Sequence, residues 1–342
     1  MSELMPKSTL FLILLFVSVP VFSQGLDFRV MFYNVENFFD CKRDSSVNDA
    51  DFTPDGAYHW TWKRFETKKN NIAKAIAAAG GLHGAALVGL CEIENREVLS
   101  SLVYHSPLKG ADYRIIHYDS PDSRGIDTAL LYDPEVFSPL SSSPIRVSFS
   151  GEDAGQTTRD ILYVKGMLGS KDTLHVFVCH APSRRGGELA SRHKRLRFAS
   201  VLKTVCDSIM QSIPDAKIMI MGDFNDFPSS ISLSDVLGAE TSWQKVENGK
   251  LYNMMSVLEK DGLGSYKYQG EWNMLDQIIV SCPLLDGVGL RINGGAQTFS
   301  APFLLECDSR YFGDKPRRTY LGPRYLGGFS DHLPVYVDLT AE

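Results

Sequence analysis

Two stretches of the chain carry the spacing of amphipathic helices. In residues 61–79, Phe65, Ile72 and Ile76 fall on one face at spacings of seven and four, and Gly80-Gly81 supplies a stop. In residues 188–213, Leu189, Leu196, Ala199, Leu202 and Val205 repeat the pattern, Arg192, Lys194, Arg195 and Arg197 read as a wet face between them, and Pro214 ends the helix. The rest is dominated by short β-rich runs. Four finish in a residue that binds a cation or moves a proton: 29–33 ends at Asn34, 87–91 at Glu92, 176–179 at His180, and 218–222 at Asp223 and Asn225. Three begin with one: Asp127 opens 128–132, Asp276 opens 277–281, and Asp331-His332 opens 333–339. A polar residue at one strand end is most often a turn residue. If the first group runs antiparallel to the second, however, all seven ends meet on one rim of a mixed sheet assembly, with the helices on its outer faces in α/β layers. Residues 40–58, 138–160 and 283–328 read as long loops, and no repeat or interdomain linker is visible.

Composition narrows the class. With 342 residues, 44% hydrophobic, and 35 Lys+Arg against 41 Asp+Glu for a net charge of -6, disorder, collagen and coiled coils are excluded. The charge also argues against a protein that coats nucleic acid through a global basic surface, though not against a local basic cleft. Residues 1–23 read as an export signal: Lys7 precedes a 13-residue apolar run from Leu10 to Phe22, and Val21 and Ser23 suit cleavage before Gln24. The run falls short of the roughly 20 residues a membrane helix needs, and no second segment is long enough. The expectation is a secreted or periplasmic monomer with one catalytic domain over residues 24–342. Six cysteines, at 41, 91, 179, 206, 282 and 307, permit disulfides in an exported chain, while Cys91 and Cys179 in apolar runs read equally as buried thiols. Without a CxxC pair, a zinc site is not indicated.

Asn34, Glu92, Asp223, Asn225 and Asp331 are hard oxygen donors of the kind that hold Mg2+, Mn2+ or Ca2+. So sparse a shell suits magnesium, which keeps several waters and shares its coordination with substrate phosphate. In an extended chain Asp223 and Asn225, two apart, point the same way, placing a carboxylate for water beside an amide for a phosphoryl oxygen. Of eight histidines only His180 and His332 reach the rim, with Asp127 and Asp276 as candidate partners that would fix their tautomers. His59, His83, His105, His117, His175 and His193 read as structural or surface residues.

Six segments then carry a family resemblance: Tyr33-Asn34-Val35-Glu36-Asn37, Cys91-Glu92, His180-Ala181-Pro182-Ser183, Gly222-Asp223-Phe224-Asn225, Leu275-Asp276-Gln277-Ile278 and Ser330-Asp331-His332-Leu333-Pro334-Val335. In this order they resemble the signature set of the endonuclease/exonuclease/phosphatase superfamily, over nearly the whole chain. The resemblance implies a four-layer αββα sandwich with two central mixed sheets and metal-dependent cleavage of a P–O bond. It makes Glu92 the main metal carboxylate, supported by Asn34, with Asp331 near the metal and Glu36 a second-metal candidate. Asp223 and Asn225 orient water and phosphate. His332, oriented by Asp276, and His180, loosely assigned Asp127, serve as acid/base or charge-stabilising groups. His180 stands where the abasic-site repair branch carries Tyr, so the sequence looks more like the secreted DNase I-like branch, although sphingomyelinases and inositol-phosphate phosphatases also use His there.

Two basic stretches suit phosphate: 183–187, with Arg184 and Arg185, and 315–320, with Arg317 and Arg318 and with Arg324-Tyr325 just beyond. Ordinary solvated loop is the competing reading. Three functions follow. The first is an exported nuclease or phosphodiesterase, the second a phosphatase or sphingomyelinase-like phospholipase C acting on phosphoinositide or phospholipid headgroups, and the third a binding module that kept the fold and lost catalysis. The complete set of rim residues weighs against the third.

Overall fold

The computed structural model describes residues 26–169, 172–286 and 289–341, so the export signal expected at 1–23 lies outside the described residues. In chain order the strands are β1 (Leu26–Phe38), β2 (Ala85–Ile93), β3 (Arg114–His117), β4 (Asp127–Tyr132), β5 (Phe137–Ile145), β6 (Ile161–Leu168), β7 (Asp172–His180), β8 (Lys217–Asp223), β9 (Ala239–Glu240) and β10 (Leu251–Asn253). They continue with β11 (Tyr266–Tyr268), β12 (Glu271–Asn273), β13 (Asp276–Ser281), β14 (Arg291–Thr298), β15 (Leu305–Cys307), β16 (Asp314–Pro316), β17 (Tyr320–Leu321), β18 (Arg324–Tyr325) and β19 (Val335–Ala341). The α-helices are α1 (Trp62–Gly80), α2 (Arg96–Tyr104), α3 (Glu188–Ser212) and the short α4 (Ser256–Lys260).

Two sheets organise these elements, one ordered β14-β19-β1-β2-β4-β3 and the other β5-β6-β7-β8-β13-β10-β9. Their centres match. In the first, β1 and β2 are parallel, flanked by antiparallel β19 and β4; in the second, β7 and β8 are parallel, flanked by antiparallel β13 and β6. The C-terminal ends of β1, β2, β7 and β8 therefore share a rim with the N-terminal ends of β4, β13 and β19, as the strand-end pattern predicts.

Alternation along each strand builds the layers. From β1, Val30 and Phe32 enter the core between the sheets, whereas Met31, Tyr33 and Val35 pack under α1 and α2. From β8, Met219 and Met221 enter the same inner core, whereas Ile218 and Ile220 pack against α3. The result is helix, sheet, sheet, helix: the αββα sandwich. Gly89 is required where the sheets approach, because a Cβ there would stand 2.5 Å from Met221 Sδ and 3.2 Å from the Phe32 ring.

Several elements differ from the sequence expectation. The loop expected at 138–160 begins with most of β5, and that expected at 283–328 holds β14 and two hairpins, β15–β16 and β17–β18. Their exposed edges and mixed polarity give no clean two-residue alternation. Helix α2 is too short for its period to stand out, though Asn95 caps it by accepting from the Val98 amide. Helix α3 is rotated relative to the predicted face: Leu189 is 73% exposed, while Arg195 is buried. All six cysteines are free thiols, Cys91 and Cys179 among the buried five and Cys307 exposed. Among the described residues no helix is long and apolar enough to cross a membrane.

Candidate active site

The rim forms a cleft of about 560 Å³, lined from both sheets by Glu92, His180, Asp223, Asn225, Asp331 and His332. Strand register aligns three of these groups in a row, because His180 at the end of β7 pairs with Asp223 on β8, and Asp223 pairs with Asp276 on β13. The other sheet contributes Asn34, whose Nδ2 donates to Asp223 Oδ2 at 3.0 Å and joins the two sheets at the rim. Asp223 Oδ2 is also 3.8 Å from Nε2 of both His180 and His332. Gly222 fits the tight approach of β7 and β8, since a Cβ there would stand 2.3 Å from the Cys179 carbonyl oxygen. Backbone strain concentrates here too: Glu36, Asn37, Glu92 and Asn225 all have left-handed φ, at 52°, 51°, 62° and 51°.

The two histidines are held in opposite states. Burial disfavours the His332 imidazolium, but Asp276, whose Oδ2 bonds its Nδ1 at 2.7 Å, and then Asp223 and Asp331 hold its pKa well above the ordinary value. His180 lies well below, because burial is followed by the positive charges of Arg159, Arg124 and His332. Burial, opposed by His332 and reinforced by Asp276, pushes the Asp223 carboxyl up to about 7. The site thus offers a proton acceptor that titrates near neutrality, one fixed cationic imidazole and one neutral imidazole.

The oxygen donors suit a hard divalent cation. Glu92, Asp331 and Asn34 would offer it oxygen donors, and the fixed cations next to the two carboxylates are Arg124, 3.9 Å from Glu92, and Arg318, 2.9 Å from Asp331. Ligand atoms of Asp223, Asp276 and His332 also lie within 4.8 Å of one another, but an imidazolium at His332 has no lone pair for a metal, so this trio reads as an acid/base group.

Asp127 does not serve His180. A register shift in β2 between Cys91 and Ile93 pairs Asp127 with Ile93, turning its carboxylate to His117 Nε2 at 3.0 Å and to the Ser120 amide at 2.8 Å. His117, expected to lack such a neighbour, is therefore pinned, and buried His180 Nδ1 has no hydrogen-bond partner among the described residues. Asp127 instead lines a separate cavity of about 660 Å³ with Asp40, Glu94 and Asp119, which holds neither rim histidine.

Of the five arginines expected at phosphate, Arg184 lines the cleft; Arg185, Arg317 and Arg324 are exposed and lie outside the cleft lining. Arg318 is committed to carboxylates, donating to Asp331 at 2.9 Å and standing 3.5 Å from Glu36. Glu36 is buried outside the cleft lining and accepts the Thr319 amide at 2.7 Å, which makes it a brace for the 318–320 segment. Behind it Lys68 of α1 is fully buried, its Nζ bonding Thr319 Oγ1 at 2.6 Å and standing 4.0 Å from Glu36. Lys68→Ala removes one of the two cations beside buried Glu36 and leaves the Thr319 hydroxyl and the Phe329 carbonyl without their donor, with an expected loss of about 3 kcal/mol, read by urea unfolding.

Sequence reasoning missed Arg124, which donates to Asn37 Oδ1 at 2.5 Å, and the β11–β12 hairpin, which brings Tyr266, Tyr268 and Asn273 to the cleft. The Tyr266 ring lies 4.9 Å from that of His332. Two signals were available: Arg124-Gly125 just before a strand opening in Asp, and alternation through 266–268 into the Gln269-Gly270 turn, both of whose residues have positive φ.

A family model described as Endonuclease/Exonuclease/phosphatase family matches residues 29–341. No curated protein matches the chain. Among solved structures, an endonuclease/exonuclease/phosphatase family protein from Bacteroides thetaiotaomicron is 15% identical, with 93% of this chain and 96% of that one covered and a TM-score of 0.56. Its counterpart from Bacteroides vulgatus is 13% identical, with 93% and 100% covered and a TM-score of 0.55. D. rerio TDP2, complexed with single strand DNA product, is 14% identical, with 92% and 98% covered and a TM-score of 0.54. At these identities the structures speak to the fold.

Proposed function

Because the chain belongs to the endonuclease/exonuclease/phosphatase family, and is thus a metal-dependent phosphoester hydrolase, we propose that it is an exported, monomeric nuclease or phosphodiesterase that uses Mg2+. One observation carries the chemistry: the buried Asp223 carboxylate stands 3.8 Å from Nε2 of each rim histidine, where burial raises its pKa towards neutrality and the neighbouring charges hold the two imidazoles in opposite states. Asp223, with Asn225 beside it, orients a water and takes its proton as that water attacks phosphorus and the P–O bond to the alcohol leaving group breaks, the departing oxygen taking a proton from solvent water. The His332 imidazolium, held by Asp276, offsets charge developing on the phosphoryl oxygens, and neutral His180 donates to the same group. A divalent cation held by Glu92, Asn34 and Asp331 supplies further charge stabilisation when bound. Export rests on the pattern of residues 1–23.

A nucleic-acid substrate is favoured by Arg124 and Arg184 on the same cleft wall set as Tyr266 and Tyr268, which pairs phosphate contacts with faces on which a base stacks. A phospholipid headgroup is the second reading, because Tyr268 of the cleft lining is 58% exposed and Phe312, whose carbonyl accepts from Lys267 of the same β11–β12 hairpin, is 88% exposed.

The test is a panel of plasmid DNA, RNA, sphingomyelin and inositol phosphates, each with Mg2+, Mn2+, Ca2+ or EDTA. Turnover of DNA or RNA with Mg2+, lost in EDTA and restored by added metal, is the expected result. Preference for sphingomyelin or inositol phosphates selects the second reading, and activity that survives EDTA refutes the metal-dependent mechanism.

A further inference from the structure

Directly after Asn225 the chain carries Asp226, a buried carboxylate outside the cleft lining. Its Oδ1 stands 2.8 Å from Arg195 Nε and accepts from Arg184 Nη2 at 3.1 Å, while its Oδ2 accepts from Ser232 Oγ at 2.6 Å. Its main-chain carbonyl accepts from Gln277 Nε2 at 3.0 Å. Arg195 is itself fixed: it is 1% exposed, and its other nitrogens donate to Ser191 Oγ at 2.8 Å and to the Glu188 carbonyl at 3.1 Å. Arg184 donates its Nε–H to the Asn225 carbonyl at 2.6 Å and lies over the Phe227 ring at 4.8 Å.

These contacts have a geometric consequence. A guanidinium has five N–H donors. In Arg184 one goes to Asn225 and one to Asp226, which leaves three on a residue that lines the cleft. The Asn225 carbonyl, clamped by Arg184, holds that residue at its left-handed φ of 51°, while its amide nitrogen donates to Asp223 Oδ1 at 2.8 Å and its side chain to the Ala181 carbonyl at 3.2 Å. One buried carboxylate, backed by one buried arginine, thus sets the placement of two cleft residues.

We propose that Asp226 and Arg195 are positioning residues that hold Asn225 and Arg184 as a single unit facing the non-bridging oxygens of the substrate phosphate. The assignment rests on the phosphoester-hydrolase reading of the cleft. It gives a role to an arginine of the α3 stripe that its sequence pattern places in solvent.

A double-mutant cycle of Asp226→Asn and Arg184→Ala tests it, read twice: by calorimetric affinity for inorganic phosphate and by KM and kcat on bis(p-nitrophenyl) phosphate. Asparagine keeps an acceptor for both arginines but removes the charge that fixes them, so each single variant is expected to weaken phosphate affinity and raise KM by about tenfold, with a smaller change in kcat. Because Asp226 acts through Arg184, the double variant is expected to bind phosphate no more weakly than Arg184→Ala alone. Additive losses, or an unchanged phosphate affinity in Asp226→Asn, overturn the proposal. If Asp226→Asn does not fold, Arg195→Lys, which keeps a cation on Asp226 without the planar fork, replaces it in the same cycle with the same expected non-additivity. A wild-type protein that binds phosphate with a non-additive cycle but cleaves no phosphodiester or phosphomonoester defeats the hydrolase reading and leaves the positioning assignment standing.

Discussion

Asp223→Ala is expected to lower kcat by about a thousandfold, within the range for loss of a positioned acid/base group in a polar site. The size follows from convergence. One carboxylate oxygen receives the Asn34 amide at 3.0 Å and faces both rim histidines at 3.8 Å, and the other receives the Asn225 main-chain N–H at 2.8 Å. Truncation removes the proton acceptor, frees Asn34 and loosens Asn225 at once. It also removes one of the charges that hold His332 protonated. Asp223→Asn preserves the shape and an acceptor but not the base, and is expected to lose nearly as much kcat while unfolding at the wild-type temperature. Steady-state kinetics with saturating metal, beside a thermal melt, checks both variants. Recovery of kcat in Asp223→Asn to within about tenfold of wild type would falsify the base assignment and leave Asp223 a scaffold.

The second large effect is on pH dependence. The proposed active form has Asp223 ionised and His332 protonated. Activity therefore rises with pH through the Asp223 value of about 7 and falls only as pH passes the raised His332 value, so the wild-type profile is a bell with an extended alkaline side. Asp276→Asn removes the charge that most supports the imidazolium and also raises Asp223. Without it burial pulls His332 down, so the alkaline limb is expected to move to lower pH, while the acid limb moves less because Asp223 loses the repulsion of Asp276 and the support of His332 together. At pH 8 the variant is expected to have lost about a hundredfold in kcat, with part recovered on acidification. A profile of unchanged shape and reduced height would assign Asp276 to positioning alone.

Much of this site was legible because a strand's end is visible even when its pairing is not. Asn34, Glu92, His180, Asp223 and Asp276 close or open runs of Val, Ile, Leu and Met, and such runs predict strands whatever their neighbours. The parallel and antiparallel relations that bring those ends together followed from requiring one rim. What stayed hidden depends on a single step of register or on contacts far apart in the chain. Asp127 sits beside Ile93 because β2 shifts by one position, and that step sends its carboxylate to His117. Arg195 looks solvated in a basic stripe, yet a rotation of α3 buries it against Asp226, 31 positions further along the chain. Arg317, Arg318 and Arg324 looked alike as loop cations; only the fold distinguishes the one bound to Asp331 and Glu36 from the two left in solvent. Short elements such as α2 and β3 escaped because fewer than three turns or five positions carry too little period.

The mechanism stands on water attacking phosphorus at Asp223, and hydrolysis of a phosphodiester in oxygen-18-enriched water, followed by phosphorus NMR, tests that directly. With Mg2+ present the label is expected in the phosphate-bearing product, with turnover abolished in Asp223→Ala. Label in the alcohol product, or undiminished incorporation by the variant, would contradict it.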